Sequence, residues 1–385
     1  MRSYPRSIVS LGSLLFVAGC QGALITEGPA EEDAGVVVRL DGGGPPPGTD
    51  AGPPPPSTDA GPPPPAVDGG PSGTDAGPTD PCAGVSCGAN AHCDPRDGAC
   101  YCDEGFVDMG GACEAPPPGD PVGRTQAEVC DAWNAGHVEN ASPAWSPGAG
   151  TCDPGTLSPD AIDDTLRRVN MFRWLAGLGA VPHDGSRHDE LMECARMMDV
   201  NGSLSHDPPM SWDCWTSGGA SAAGRSNIAL GYRTGAASID GYMRDRNTMS
   251  LGHRRWILGA RLGGVEIGSA GRGHCLGVFG SGGSTDRAWS AYPNQGFAPI
   301  ETAQNTWSVQ AYSISFTGGS DVEVVRLSDG VALPVEVYQT GGFGPPPTIG
   351  FVPMGWSGEA GETYRVTITD TSDGDITYET TLVSC

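Results

Sequence analysis

Six of the thirteen cysteines crowd into residues 82–113, "CAGVSCGANAHCDPRDGACYCDEGFVDMGGAC". The spacing is C-x4-C-x5-C-x6-C-x-C-x10-C. A segment this short cannot bury enough apolar surface to fold unaided, so its disulfides must serve as its scaffold. Six cysteines allow many pairings, and spacing alone does not choose among them. Cysteine on this scale also fits an oxidising compartment.

The N-terminus agrees with that compartment. Arg2 and Arg6 precede "SIVSLGSLLFVAGC", an apolar run too short to span a bilayer. It reads as a secretory signal. Its end, "VAGC", resembles a bacterial lipobox. The resemblance implies that Cys20 is the first mature residue and carries lipid, which leaves twelve cysteines free to pair. An anchor with more than one acyl chain is stable, so the membrane is an expected partner. Gln21 in the next position implies the outer membrane or cell surface of a bacterial envelope. Residues 82–114 resemble an EGF-like module, including "CYCDEGF", in which Gly105 and Phe106 follow the fifth cysteine. The resemblance implies the pairs Cys82–Cys93, Cys87–Cys100 and Cys102–Cys113. The calcium-binding variant needs more ligands than Asp80 and Asp94 supply.

Between anchor and module, residues 20–81 show no apolar periodicity. "TDAGPPPP" occurs at 49–56 and 58–65, and "TDAGP" returns at 74–78. Proline runs favour extended polyproline II and build no core. Such a tether reaches at most about 180 Å. The net charge of −25 makes nucleic acid an unfavourable partner, because phosphate binding needs a basic face.

After a second linker and lead-in, residues 115–157, the pattern becomes helical. Ser158 is a good N-cap, with Pro159 at the first helical position. Ile162, Leu166, Val169 and Phe172 recur at helical spacing. "SRHDELMECARMMDVNG" predicts a second helix that stops at Gly202, and "ASIDGYMRDRN" a shorter third. "GGVEIGSA", "GHCLGVFG" and "AWSAYP" read as strands. Helices around a small antiparallel sheet make an α+β domain.

Five segments in order resemble the CAP superfamily of pathogenesis-related and cysteine-rich secretory proteins. They are Asn170 with Arg173, "LSH" ending at His206, "SNIALG", "GYMRD" and "GHRRWIL". The resemblance implies an α-β-α sandwich over residues 158–295 with a groove where two histidines and two acids meet. Carried over, the histidines are His206 and His253. The first acidic position falls on Ser226, and the second near Asp245. Two imidazoles with water would hold zinc or another divalent metal only weakly, since a durable site wants three or four protein ligands. Otherwise both histidines line the groove and bond to backbone or water.

From about residue 300 the apolar period is two, as in "TWSVQAYSISF", "DVEVVRLSD" and "TYRVTITD". This predicts an immunoglobulin-like β-sandwich over 296–385, without the immunoglobulin cysteine pair. For the remaining cysteines, Cys130 could pair with Cys152, Cys194 with Cys214, and Cys275 with Cys385. The sequence does not choose.

These parts suggest a lipid-anchored surface protein whose groove of His206, Ser226, Asp245 and His253 binds a small apolar molecule, peptide or envelope component. The alternative is a metal-assisted hydrolase in which zinc on His206 and His253 activates water and Asp245 acts as base.

Overall fold

The structure is a computed structural model that describes residues 80–95, 98–102, 107–108, 113–114, 119–246, 249–341 and 344–385. The signal segment, Cys20, the proline-rich tether, Gly105 and Phe106 lie outside the described residues. So does the side chain of Cys102.

The cysteine-rich module is held by Cys82–Cys93 and Cys87–Cys100. Between them runs a small hairpin of β1 (Ala91–Cys93) and β2 (Cys100–Cys102). Cys113 is also disulfide-bonded. Asp94 is buried and makes an ion pair with Arg365 at 2.8 Å, rather than facing solvent as a calcium ligand would.

The lead-in contains a helix that the periodicity did not announce, α1 (Gln126–Gly136). Its N-terminus is a capping box in which Thr125 and Glu128 satisfy each other's backbone N–H. Then α2 (Pro159–Leu175) starts at Ser158, whose hydroxyl accepts from Ala161 N–H. α3 (His188–Asn201) ends where Gly202 takes up φ +57°, a left-handed conformation that suits glycine. The short helix α4 (Ser217–Ala223) follows, then β3 (Ser226–Leu230), α5 (Gly235–Arg244) and α6 (Gly252–Ile257). β4 (Glu266–Ala270) and β5 (Gly273–Gly277) complete an antiparallel sheet in the order β3-β5-β4. α3 packs on β4 and β5, while α2 packs on α5, which meets β3 and β4. Every residue of β5 is buried, as expected for a sheet covered on both faces.

The C-terminal region forms two sheets. One has the order β6-β8-β12-β11, made of Trp289–Tyr292, Trp307–Ala311, Thr348–Pro353 and Val335–Thr340. The other has the order β7-β14-β13-β9-β10, made of Gly296–Pro299, Gly374–Val383, Thr363–Thr371, Val322–Arg326 and Val331–Leu333. Trp307, Val309 and Phe351 from the first sheet share a core with Val324, Tyr364 and Leu382 from the second. The strand in "AWSAYP" pairs with β8 rather than with the CAP-like sheet, so this unit begins before residue 296. Alternation explains its position: Ala291 enters the sandwich core and Tyr292 the helical core.

None of the three late pairings suggested by the sequence forms. The bonds are Cys130–Cys385, Cys152–Cys214 and Cys194–Cys275. α1 packs against β7, which runs parallel to β14, so the chain end arrives beside Cys130. Cys194 lies on the face of α3 that covers β5, which places it over Cys275.

Candidate functional site

The two predicted motif residues of α2 turn out to be structural. Asn170 exchanges two hydrogen bonds with the backbone of Val181, at 2.9 and 2.8 Å. Arg173 donates to the carbonyls of Gly179, Ile257 and Gly259. It thereby fixes the C-terminal end of α6, the helix that carries His253. Burial lowers the Arg173 pKa to about 10, and among the described residues no carboxylate pairs with it.

α5 ends at Asp245, whose φ of +45° is left-handed and whose N–H bonds to Gly241 O. A carboxamide or carboxylate residue tolerates this conformation better than most. The turn places the Asp245 carboxylate inward, with Oδ1 2.8 Å from His253 Nδ1 and Oδ2 3.3 Å from Arg254 N. A carboxylate only accepts, so Nδ1 donates here and Nε2 is the ring nitrogen outside this bond. The His253 ring stacks on Tyr242 with centroids 5.3 Å apart, and its side chain is 13% exposed. Asn227 on β3 donates to His253 O at 3.0 Å, and Tyr242 OH reaches Asn227 O at 3.0 Å.

His206 sits on the loop after α3. Its Nδ1 lies 2.9 Å from Ala223 O at the end of α4. A carbonyl accepts only, so here too Nδ1 is the donor and Nε2 is left for a ligand. Burial pushes the His206 pKa below its ordinary value; the Ala223 bond opposes this, and charge on His253 adds to it. The two imidazoles therefore sense each other. Ser226 Oγ donates to Ala222 O at 2.8 Å, and the residue is buried. Its hydroxyl proton is spent on a helix carbonyl, not offered to either histidine.

So His253 and Asp245 meet directly, His206 joins them electrostatically, and Ser226 turns away. Asn227 and Tyr242 were not singled out as site residues from the sequence, yet they hold His253 from below. The signal was present in part, since Asn227 follows Ser226 in "SNIALG". Among the described residues, no three His, Cys, Asp or Glu side chains gather around a point that could hold a metal ion. No described helix is long and apolar enough to cross a membrane.

The site thus rests on helices on both faces of a three-stranded sheet, with one histidine after α3 and another on the short helix before β4. The profile of the cysteine-rich secretory protein family, CAP, matches residues 166–274, and this segment is a CAP domain. Among solved structures, the chain is similar to an extracellular protein containing a SCP domain from Bacillus anthracis str. Ames, at 20% identity with a TM-score of 0.25. That alignment covers 32% of this chain and 43% of the other, so the chain spans less than half of that relative. A search of curated proteins finds no match.

Proposed function

We propose that the protein is a lipid-anchored interaction module of the cell envelope. Cys20 is its anchor, and the 82–114 segment is an EGF-like spacer. The site of His206 and His253 holds a small apolar molecule, peptide or envelope component. At family level the CAP domain points to an extracellular interaction role, and the disulfides fit an oxidising compartment.

One observation carries this reading. The Asp245 carboxylate is 1% exposed and committed to His253 Nδ1 and Arg254 N–H. It orients an imidazole and does not face a substrate as a base. With the Ser226 proton directed to Ala222 O, the site offers two imidazole Nε2 atoms and little else for chemistry. That set recognises and orients a ligand better than it hydrolyses one.

The metal-assisted reading draws on the same pair. A metal-ligating histidine typically donates its other ring N–H to a carboxylate, as His253 does to Asp245. Zinc would be held by His206 and His253, with Asp245 behind the second. It would supply Lewis acidity to a bound water.

Extraction of the exported protein, followed by mass spectrometry of what it carries, tests the proposal. A stoichiometric apolar molecule or peptide, lost from a His206→Ala/His253→Ala variant, is expected. Zinc-dependent cleavage of peptide or envelope polymer, abolished by His253→Ala, would overturn the binding reading in favour of hydrolysis.

A further inference from the structure

A second cavity, whose lining includes neither histidine, lies where the CAP domain meets the β-sandwich. It has a volume of about 540 Å³, within the range of small-molecule sites. Arg246 and Met249, just past α5, form one wall, and the sandwich supplies the rest through Gln304, Asn305, Thr306, Tyr338 and Trp356, among others.

Three features of this cavity are chemical. First, Arg246 is exposed and makes no hydrogen bond or ion pair among the described residues. Second, the wall behind it is positive. Arg254 is 1% exposed, donates from Nη1 to Thr306 O at 2.8 Å, and finds its other partners mainly among carbonyls. Arginines 244, 246, 254 and 255 fall within twelve residues that contain one acid, Asp245, which is already bonded to His253. Of these, Arg246 lines the cavity directly, so an anion there meets an exposed guanidinium. Third, Trp356 offers hydrocarbon rather than a donor. Its Nε1 is spent on Pro334 O at 2.7 Å, and Tyr364 stacks on its ring at 5.6 Å. The carboxamides of Gln304 and Asn305 supply paired donors and acceptors on the same lining.

We propose that this cavity binds an acidic saccharide. Its carboxylate pairs with Arg246 in a bidentate, charge-assisted contact. The C–H face of a pyranose ring lies against Trp356, and the ring hydroxyls exchange hydrogen bonds with Gln304 and Asn305. The site does not depend on what the histidines hold.

The test is calorimetric titration of the full chain with trigalacturonate, maltotriose and inorganic phosphate. Saturable binding of trigalacturonate at up to millimolar concentration is expected, with no binding of maltotriose. Arg246→Gln should weaken it by about tenfold or more, and Asn305→Ala should weaken it too. His206→Ala should leave it unchanged. Arg246 has no partner to lose, so its variant folds as the parent does. Absent binding, equal affinity for maltotriose, phosphate binding as tightly as the sugar, or loss of binding in His206→Ala would each overturn the proposal.

Discussion

Asp245 Oδ1 accepts from His253 Nδ1 at 2.8 Å while the Asp245 backbone sits in the left-handed region at φ +45°. One residue thus solves two problems, ending α5 and fixing the tautomer of the histidine eight positions on. Asparagine tolerates the same backbone and keeps an acceptor, but its amide meets the Arg254 N–H as a second donor. Asp245→Asn should cost about 1–2 kcal/mol. Asp245→Ala loses the bonds and adds about 1 kcal/mol of backbone strain. Urea midpoints should fall in the order wild type, Asn, Ala. An alanine variant as stable as asparagine would remove the backbone part of this account.

The pH dependence follows from buried imidazole. His274 on β5 is held neutral, with Nε2 2.9 Å from Tyr232 O and Nδ1 2.7 Å from Ser269 Oγ. Burial pushes its pKa down to about 4, against the Tyr232 bond and the charge of Asp199. His206 is shifted in the same direction. A folded pKa below the unfolded value means the unfolded chain takes up the proton first as pH falls. Stability is therefore full above about pH 6.5 and declines between there and about pH 4, with His274 contributing on the order of 3 kcal/mol. Thermal melts across this window should show that slope, and His274→Gln should flatten it. An unchanged slope in the variant would assign the loss to other groups.

Arg365 joins the cysteine-rich module to the sandwich. It lies 2.8 Å from Asp94 and 2.9 Å from Glu379, with its Cζ 3.4 Å from the Tyr101 ring centroid. Arg365 and Asp94 are 6% and 2% exposed. Removing one partner strands a buried charge, so Arg365→Ala should destabilise this contact by about 3–5 kcal/mol. Limited proteolysis should then cut between residues 114 and 125 faster than in the parent. Arg365→Ala/Asp94→Ala should recover part of the protection. Equal cutting rates in parent and single variant would show that the contact does not hold the module.

All 21 basic residues are arginine, and the chain has no lysine. If Cys20 is the lipidated first residue, the mature protein has one α-amine and no other primary amine. Exported protein extracted in detergent should take up no amine-reactive dye where that α-amine is acylated, and one equivalent where only the thiol is modified. The Cys20→Ser chain should label once and lose its lipid. Label on a wild type that carries no lipid would refute the anchor.

Much of this architecture was written in local pattern. Ser158-Pro159 set the start of α2, Gly202 the end of α3, and the period-two runs after residue 300 became strands. "LSH" and "GHRRWIL" located the two imidazoles. What the sequence hid were relations between distant segments. Nothing local says that Cys130 meets Cys385, since that depends on β7 lying parallel to β14. Nor does "GHRRWIL" reveal that its two arginines belong to the partner layer: Arg254 donates to Thr306 O and Ser308 Oγ, and Arg255 to Pro345 O. The helices α1 and α4 escaped because one is weakly periodic and the other, "SGGASAA", is too short and too small in side chain to show a face. Tyr242 stood in the sequence only as part of "GYMRD", and the packing reveals the histidine lying on it.

The Cys130–Cys385 bond spans 255 positions and makes a covalent ring of everything from α1 to the last strand. A pull on the segment just before Cys130 divides between two routes, one through α1 and one through the disulfide into β14. A single protease cut between residues 131 and 384 severs no piece from the rest. Because it ties α1 to β14, the bond joins the helical domain and the sandwich covalently at a second place besides the chain that runs between them, and the two bear load as one body.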